Sequence, residues 1–143
     1  MEFTNVYPMP PQTRILLVDD NAALRAGIRA LLKAESTFIV VGEAGDGEAA
    51  VSLAAELAPD VILMDVQMPG MNGIEATRRI MEAATTDGRL LDVLAFSASA
   101  SERQAMLDAG AVGFVLKDQA HDVANAIRKV SVERRTQGRP ELT

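Results

Sequence analysis

The 143-residue sequence contains no cysteine and only one histidine. The absence of thiols excludes disulfides, cysteine nucleophiles and cysteine-ligated zinc, and a single imidazole cannot form a cluster for a transition metal. Any metal that the protein binds is therefore expected to be a hard cation held by oxygen atoms.

Positive charge is also scarce. The 14 Lys and Arg residues are outnumbered by 20 Asp and Glu residues, which gives a formal net charge of -6. Binding to nucleic acid or anionic lipid depends on excess positive charge, so we expect this chain alone to bind neither DNA nor a membrane. No apolar run approaches the roughly 20 residues that span a bilayer, and the first residues do not resemble a signal peptide. The sequence predicts a cytoplasmic protein.

Short aliphatic runs alternate with longer helical patterns along the chain. Several of these runs are apolar throughout, which is typical of strands buried on both faces of a parallel sheet with helices on each side. Five strands alternating with five helices predict one α/β domain, built on a doubly wound five-stranded parallel sheet. The predicted strands are Arg14–Val18, Phe38–Glu43, Val61–Met64, Asp92–Phe96 and Gly113–Leu116.

The helical segments carry apolar spacing and cap signals. Asn72 is followed three residues later by Glu75, the spacing of a capping residue and its partner. Ser101 and Gln104 have the same spacing, so we expect Asn72 and Ser101 to cap the third and fourth helices. In the first helix the apolar periodicity predicts one buried face, formed by Leu24, Ile28, Leu31 and Leu32.

Polar side chains stand where four of the five predicted strands end. In a sheet of this kind, ligands bind in the crevice beyond the carboxyl ends of the strands. Taken singly, each residue has a simpler interpretation as a helix cap, a turn residue, a local hydrogen-bonding group or a solvated amine. Their joint placement favours one shared pocket, formed by Asp19, Asp20, Asp65, Ser97 and Lys117.

The residue types in this pocket suit phosphoryl transfer. Three carboxylates repel one another, and a hard divalent cation would relieve that repulsion. Mg²⁺ is usually held by one or two carboxylates with waters and phosphate oxygens, which leaves a carboxylate oxygen free as a nucleophile. The sequence predicts Asp65 as this nucleophile, with Lys117 and Ser97 neutralising the phosphoryl oxygens. The expected product is an aspartyl phosphate.

Four motifs, LLVDDN, DVILMDVQMPGMNG, LAFSAS and AGAVGFVLKD, resemble in order and spacing the receiver domain of bacterial two-component response regulators. The resemblance covers about Thr13 to Arg135. It implies the (βα)5 flavodoxin-like receiver fold with strand order 2-1-3-4-5. The chain then divides into a disordered leader (1–13), a receiver domain (14–135) and a linker (136–143).

The resemblance also implies a role for each pocket residue. Asp65 would accept a phosphoryl group from a sensor histidine kinase, with Mg²⁺ as the cofactor. Asp20 would bind Mg²⁺ directly and Asp19 mostly through water, while the backbone carbonyl of Gln67 would be a further ligand. In the loop that follows the acceptor, Gly73 would relieve crowding.

The resemblance implies that Ser97 is the switch hydroxyl and Phe114 the switch aromatic. The alternative for Phe114 is a phenylalanine that only packs in the core. Phosphorylation is expected to change the face formed by the fourth helix, fifth strand and fifth helix. That change would drive homodimerisation or control an output domain. Kinase specificity is implied on surface residues of the first helix, namely Leu24, Arg25 and Ile28.

The pairing of Lys117 with Asp118 resembles the NarL/FixJ-type branch, in which a linker leads to a LuxR-type DNA-binding domain. A truncated transcription factor is therefore expected, with a natural single-domain receiver as the alternative.

We do not expect a turnover enzyme. A haloacid-dehalogenase-type phosphatase needs an acid two residues after the nucleophile, where this chain has Gln67. A flavodoxin-like cofactor site needs an anion-binding loop after the first strand, where Asp19 and Asp20 would repel the anion. A non-phosphorylated interaction module of the same fold would typically lack a pocket residue, and none is missing.

Overall fold

The computed structural model describes residues 12–137. Residues 1–11 of the predicted leader and residues 138–143 of the predicted linker lie outside the described residues. The strands are β1 (Thr13–Val18), β2 (Phe38–Ala44), β3 (Val61–Asp65), β4 (Asp92–Ser97) and β5 (Gly113–Leu116). The α-helices are α1 (Ala22–Lys33), α2 (Gly47–Leu57), α3 (Gly73–Asp87), α4 (Arg103–Ala109) and α5 (Val123–Gln137), with 3-10 turns over Ala100–Glu102 and Lys117–Asp122.

The five strands form one parallel sheet in the order β2-β1-β3-β4-β5. This confirms the predicted doubly wound architecture and its strand order. From β1 the chain runs to the edge strand β2 on one side and then crosses to the central strand β3 on the other side of β1. The crevice between the carboxyl ends of β1 and β3 is therefore the point where ligands are expected in such a sheet.

Side chains along each strand alternate between the two faces of the sheet, which explains the continuous apolar runs. In β1, Leu16 and Val18 pack in one core cluster with residues of α2, α3 and α4. Ile15 and Leu17 pack in a second cluster with residues of α1 and α5. All four side chains are at most 2% exposed. The helices thus cover both faces, as the apolar pattern predicts.

The buried face of α1 is narrower than predicted. Ile28 and Leu32 are buried and Leu24 is partly buried, but Leu31 is 48% exposed. Leu31 lies at the edge of the apolar stripe because residues four apart in a helix, such as Ile28 and Leu32, align most closely on one face. No helix within residues 12–137 is long and apolar enough to span a membrane.

Of the two predicted caps, only Asn72 is confirmed. Its side-chain oxygen accepts hydrogen bonds from the backbone N–H groups of Ile74 and Glu75, both at 3.0 Å. The prediction for Ser101 is wrong, because that residue lies inside the 3-10 turn before α4. The capping oxygen there belongs to Ser99, which accepts the N–H of Ser101 at 3.2 Å.

Candidate functional site

The structure brings the predicted pocket residues to one edge of the sheet. Asp19 and Asp20 follow β1, and Asp65 is the last residue of the neighbouring strand β3. Ser97 ends β4, and Lys117 directly follows β5. Because all strands are parallel, their carboxyl ends meet at this edge, and the residues that follow them converge there.

Lys117 joins the two buried carboxylates of the pocket. Its Nζ atom lies 2.8 Å from Oδ2 of Asp19 and 3.0 Å from Oδ1 of Asp65. Burial acts to lower the pKa of Lys117, but the hydrogen bonds to the two aspartates outweigh it and raise the pKa above its ordinary value. The lysine is therefore charged at neutral pH and supplies the positive charge of the site.

One lysine does not balance the negative charge of the pocket. Asp19, Asp20 and Asp65 each offer a carboxylate oxygen within 4.8 Å of the others. Burial, together with the charges of Asp19 and Asp20, raises the pKa of Asp65 to about 6, although Lys117 lowers it. The Oδ2 atom of Asp65 is buried and has no hydrogen-bond partner among the described residues. This all-oxygen cluster fits a hard divalent cation, which would satisfy that oxygen and neutralise the excess charge.

Besides the contact with Lys117, two further hydrogen bonds hold Asp19 in place. Its Oδ1 atom accepts the backbone N–H of Asn21 at 2.9 Å, and the Arg25 guanidinium donates to its backbone carbonyl. The same guanidinium donates to Oε1 of Glu43 at 2.9 Å. Arg25 thus braces the carboxyl end of β1, a role that spacing within α1 does not reveal. Ile28, predicted on the kinase-facing surface, is only 3% exposed and belongs to the core, so that prediction is wrong.

Ser97 is held by a residue that the sequence patterns do not single out. The serine is 2% exposed, and its hydroxyl donates to Oε1 of Glu102 at 2.9 Å. The other carboxylate oxygen of Glu102 accepts a hydrogen bond from Nε2 of Gln67 at 2.7 Å. Glu102 therefore connects the loop after β4 to the loop after β3. The predicted role of the Gln67 carbonyl as a metal ligand stays a prediction.

Phe114 lies on β5, one strand away from Ser97. Its ring is partly buried and packs against the core cluster shared by α2, α3 and α4. This position suits both interpretations of the residue, because a switch aromatic and a core phenylalanine each need contact with that cluster. The switch role of Phe114 stays a prediction.

The loop from Asp65 to α3 approaches the acceptor closely. The N–H of Gly73 donates to the carbonyl of Val66 at 2.8 Å. A Cβ atom at Gly73 would lie 2.0 Å from the carbonyl oxygen of Asp65 and 2.9 Å from Cα of Val66. This contact confirms that glycine relieves crowding at the position, as predicted.

The sequence pattern of the family described as the response regulator receiver domain matches residues 15–128. The chain is 41% identical to the transcriptional regulatory protein LiaR of Bacillus subtilis over 130 residues, covering 90% of this chain and 58% of LiaR. It is 39% identical to the nitrate/nitrite response regulator protein NarL of Escherichia coli over 120 residues, covering 82% and 54% of the two chains. The chain thus spans little more than half the length of these curated relatives.

A solved structure shows the same fold. The receiver domain of the histidine kinase CKI1 from Arabidopsis thaliana, in complex with Mg²⁺, superposes with a TM-score of 0.70 at 29% identity, over 84% of this chain and 93% of that domain. The family match covers most of the chain and includes every pocket residue placed above. The chain therefore belongs to the response regulator receiver domain family, and its relatives include NarL- and LiaR-type response regulators.

Proposed function

We propose that this protein is a phosphorylation-dependent signalling switch in which Asp65 accepts a phosphoryl group from a histidine kinase. The observation that carries the proposal is the environment of Asp65. This carboxylate is buried at the end of β3, one oxygen contacts the Lys117 ammonium, and the other has no hydrogen-bond partner within residues 12–137. A carboxylate with one oxygen held by an ammonium and the other oxygen without a hydrogen bond suits a nucleophile that gains a phosphoryl group.

In the proposed step, a carboxylate oxygen of Asp65 attacks the phosphorus of a phosphohistidine. The new O–P bond forms as the P–N bond breaks, and the electron pair of that bond stays on the imidazole nitrogen. The Lys117 ammonium lies 3.0 Å from Oδ1 of Asp65, close enough to neutralise phosphoryl oxygens that collect there. The Ser97 hydroxyl at the end of β4 supplies a further donor after a change of partner.

Mg²⁺ is the proposed cofactor. Asp19, Asp20 and Asp65 would hold it with the backbone carbonyl of Gln67, and the Mg²⁺ complex of the similar CKI1 receiver supports this choice. When bound, the ion neutralises carboxylate and phosphoryl charge. Asp20 is the exposed member of the cluster, so its carboxylate would be the first to meet an ion that arrives from solvent.

The output follows from the elements that carry the switch residues. We propose that movement of Ser97 and Phe114 alters the face formed by α4, β5 and α5. In a protein of the length of its NarL-type relatives, that face would promote homodimerisation and control a C-terminal DNA-binding domain. Each transfer modifies one acceptor, and later loss of the phosphoryl group to water resets it. The proposed chemistry is thus self-phosphorylation and autodephosphorylation, without turnover of an external substrate.

Intact mass after incubation with Mg²⁺ and acetyl phosphate tests this function. We expect one added phosphoryl group that hydroxylamine removes, and no adduct when Mg²⁺ is withheld. Asp65→Asn is expected to abolish the adduct because an amide is a poor nucleophile. Asp87→Asn, the control, removes a carboxylate from the exposed end of α3, and this variant is expected to form the phosphoryl adduct as the wild type does. An adduct that persists in Asp65→Asn would place the acceptor elsewhere. Absence of any adduct, together with failure to bind beryllofluoride, would refute phosphorylation.

A further inference from the structure

We propose that Glu102 restrains the switch by competing with the phosphoryl group for the Ser97 hydroxyl. In the unphosphorylated protein, Glu102 would hold this hydroxyl and so favour the inactive arrangement. This inference rests on the proposed function, since it concerns the partner that Ser97 leaves when Asp65 becomes phosphorylated. It assigns a positioning role to a residue outside the predicted pocket.

The competition follows from the hydrogen-bonding capacity of serine. A hydroxyl has one proton and can donate one hydrogen bond at a time. In the structure that proton is directed to Oε1 of Glu102 at 2.9 Å, while Oγ accepts the N–H of Ser99 at 3.3 Å. Ser97 is buried, so solvent offers it few other partners. The hydroxyl must give up Glu102 before it can donate to a phosphoryl oxygen.

The Glu102 contact is stronger than an ordinary surface hydrogen bond. Its acceptor is a carboxylate, and hydrogen bonds to charged groups are roughly twice as strong as those between neutral groups. The second oxygen is occupied as well, by Nε2 of Gln67 at 2.7 Å. Gln67 stands two residues beyond Asp65, so Glu102 bridges the acceptor loop and the switch loop. Because both hydrogen bonds end on the same carboxylate, loss of the Ser97 contact would also weaken the Gln67 contact.

The position of Glu102 also couples the contact to the proposed output face. The residue joins the 3-10 turn Ala100–Glu102 to the first residue of α4, and its side chain forms no cap hydrogen bond to the helix. A phosphoryl group on Asp65 would attract the Ser97 proton and repel the Glu102 carboxylate. Release of Glu102 then frees the start of α4 to move. Because coupling is reciprocal, removing Glu102 should make phosphorylation more favourable.

A double-mutant cycle tests this inference with beryllofluoride and Mg²⁺ as the phosphoryl mimic. The dissociation constant is measured by calorimetry or NMR titration for the wild type, Glu102→Ala, Ser97→Ala and the double variant. We expect Glu102→Ala to bind about 10-fold more tightly than the wild type, within the range of a typical coupling. In the Ser97→Ala background the same substitution should change affinity less than about 2-fold, since the competition is gone.

Two further variants separate the hydrogen bond from charge and folding effects. Asp108→Ala removes an exposed carboxylate from α4 and should leave the affinity near that of the wild type. Glu102→Gln preserves the size of the side chain and carries the test if the alanine variant does not fold. It should bind with intermediate affinity, because a neutral amide oxygen accepts more weakly than a carboxylate.

The outcomes distinguish this inference from the proposed function. If the wild type binds no beryllofluoride with Mg²⁺ present, the proposed function and the inference both fail. If the wild type binds and the Glu102 variants bind equally well, the inference alone is overturned. Equal tightening in the presence and absence of the Ser97 hydroxyl would also overturn it, because the effect would then be general electrostatic repulsion.

Discussion

Without added Mg²⁺, Asp65→Asn is expected to raise the free energy of unfolding at pH 8 by about 2–3 kcal/mol. Asparagine has nearly the same shape as aspartate but carries no charge. The pKa of Asp65 rises from 3.8 to about 6, because burial and the charges of Asp19 and Asp20 together outweigh the lowering by Lys117. Above this pKa the folded protein must hold Asp65 as a buried carboxylate, and ionising the group there costs more free energy than in the unfolded chain. The amide removes that cost.

The sign of the pH dependence follows from proton linkage. Between pH 3.8 and about 6 the folded protein keeps the Asp65 proton, while the unfolded chain has lost it. The folded state therefore binds more protons, and its stability falls as the pH rises through this window. The advantage of Asp65→Asn should be smallest near pH 4, grow up to about pH 6, and stay constant above pH 7.

Urea denaturation of both proteins between pH 4.5 and 8, with EDTA present, measures this difference. Asp20→Asn is the matched control because it makes the same substitution in the same pocket at an exposed residue, and we expect a smaller gain. Adding Mg²⁺ should stabilise the wild type more than Asp65→Asn, since a cation bound only by the folded state adds to its stability. An asparagine variant that is no more stable than the wild type at pH 8 would contradict the proposed electrostatics.

The sheet and the pocket follow from patterns that are local in sequence. An apolar run such as Ile15–Val18 can place alternate residues in two cores only if helices cover both faces of the sheet. Parallel strands then bring their last residues to one edge whatever the side-chain details. For this reason the positions of Asp19, Asp65 and Lys117 relative to one another could be predicted from spacing alone.

The supporting contacts could not be predicted in this way. Glu102 reaches Gln67 across 35 residues, and Arg25 reaches Glu43 across 18. Such contacts depend on rotamers and loop paths that no residue pattern encodes. The wrong cap at Ser101 has the same origin, since Ser99 has an equally suitable side chain and the backbone turns there first. Sequence patterns locate the reacting groups, whereas three-dimensional contacts identify the residues that hold them.

Gly73→Ala is expected to destabilise the protein by at least about 3 kcal/mol, near the upper end of overpacking effects. The added Cβ would lie 2.0 Å from the carbonyl oxygen of Asp65 and 2.9 Å from its carbonyl carbon. These are backbone atoms of the acceptor strand, so no side-chain rotation relieves the clash. The start of α3 has to move away from the end of β3.

That movement should affect the acceptor as well as stability. The hydrogen bond from the N–H of Gly73 to the carbonyl of Val66 holds the acceptor loop against α3 at 2.8 Å. Shifting α3 breaks or lengthens this bond and displaces Asp65 from the Lys117 ammonium. We therefore expect Gly73→Ala to reduce the rate of phosphorylation by acetyl phosphate even at temperatures where the variant is folded, because transfer depends on the position of the nucleophile.

Gly27→Ala is the matched control. Gly27 is exposed in the middle of α1, and among residues 12–137 a Cβ there would meet no atom within 4 Å other than its chain neighbours and the nearby backbone of the helix. Alanine is a better helix former than glycine, so this variant should be more stable than the wild type by roughly 0.5–1 kcal/mol and should be phosphorylated normally. Urea denaturation and intact mass measure both properties for the two variants. If Gly73→Ala and Gly27→Ala are equally stable and equally well phosphorylated, the acceptor loop has room for a side chain. That result would contradict the close contact between the start of α3 and the end of β3.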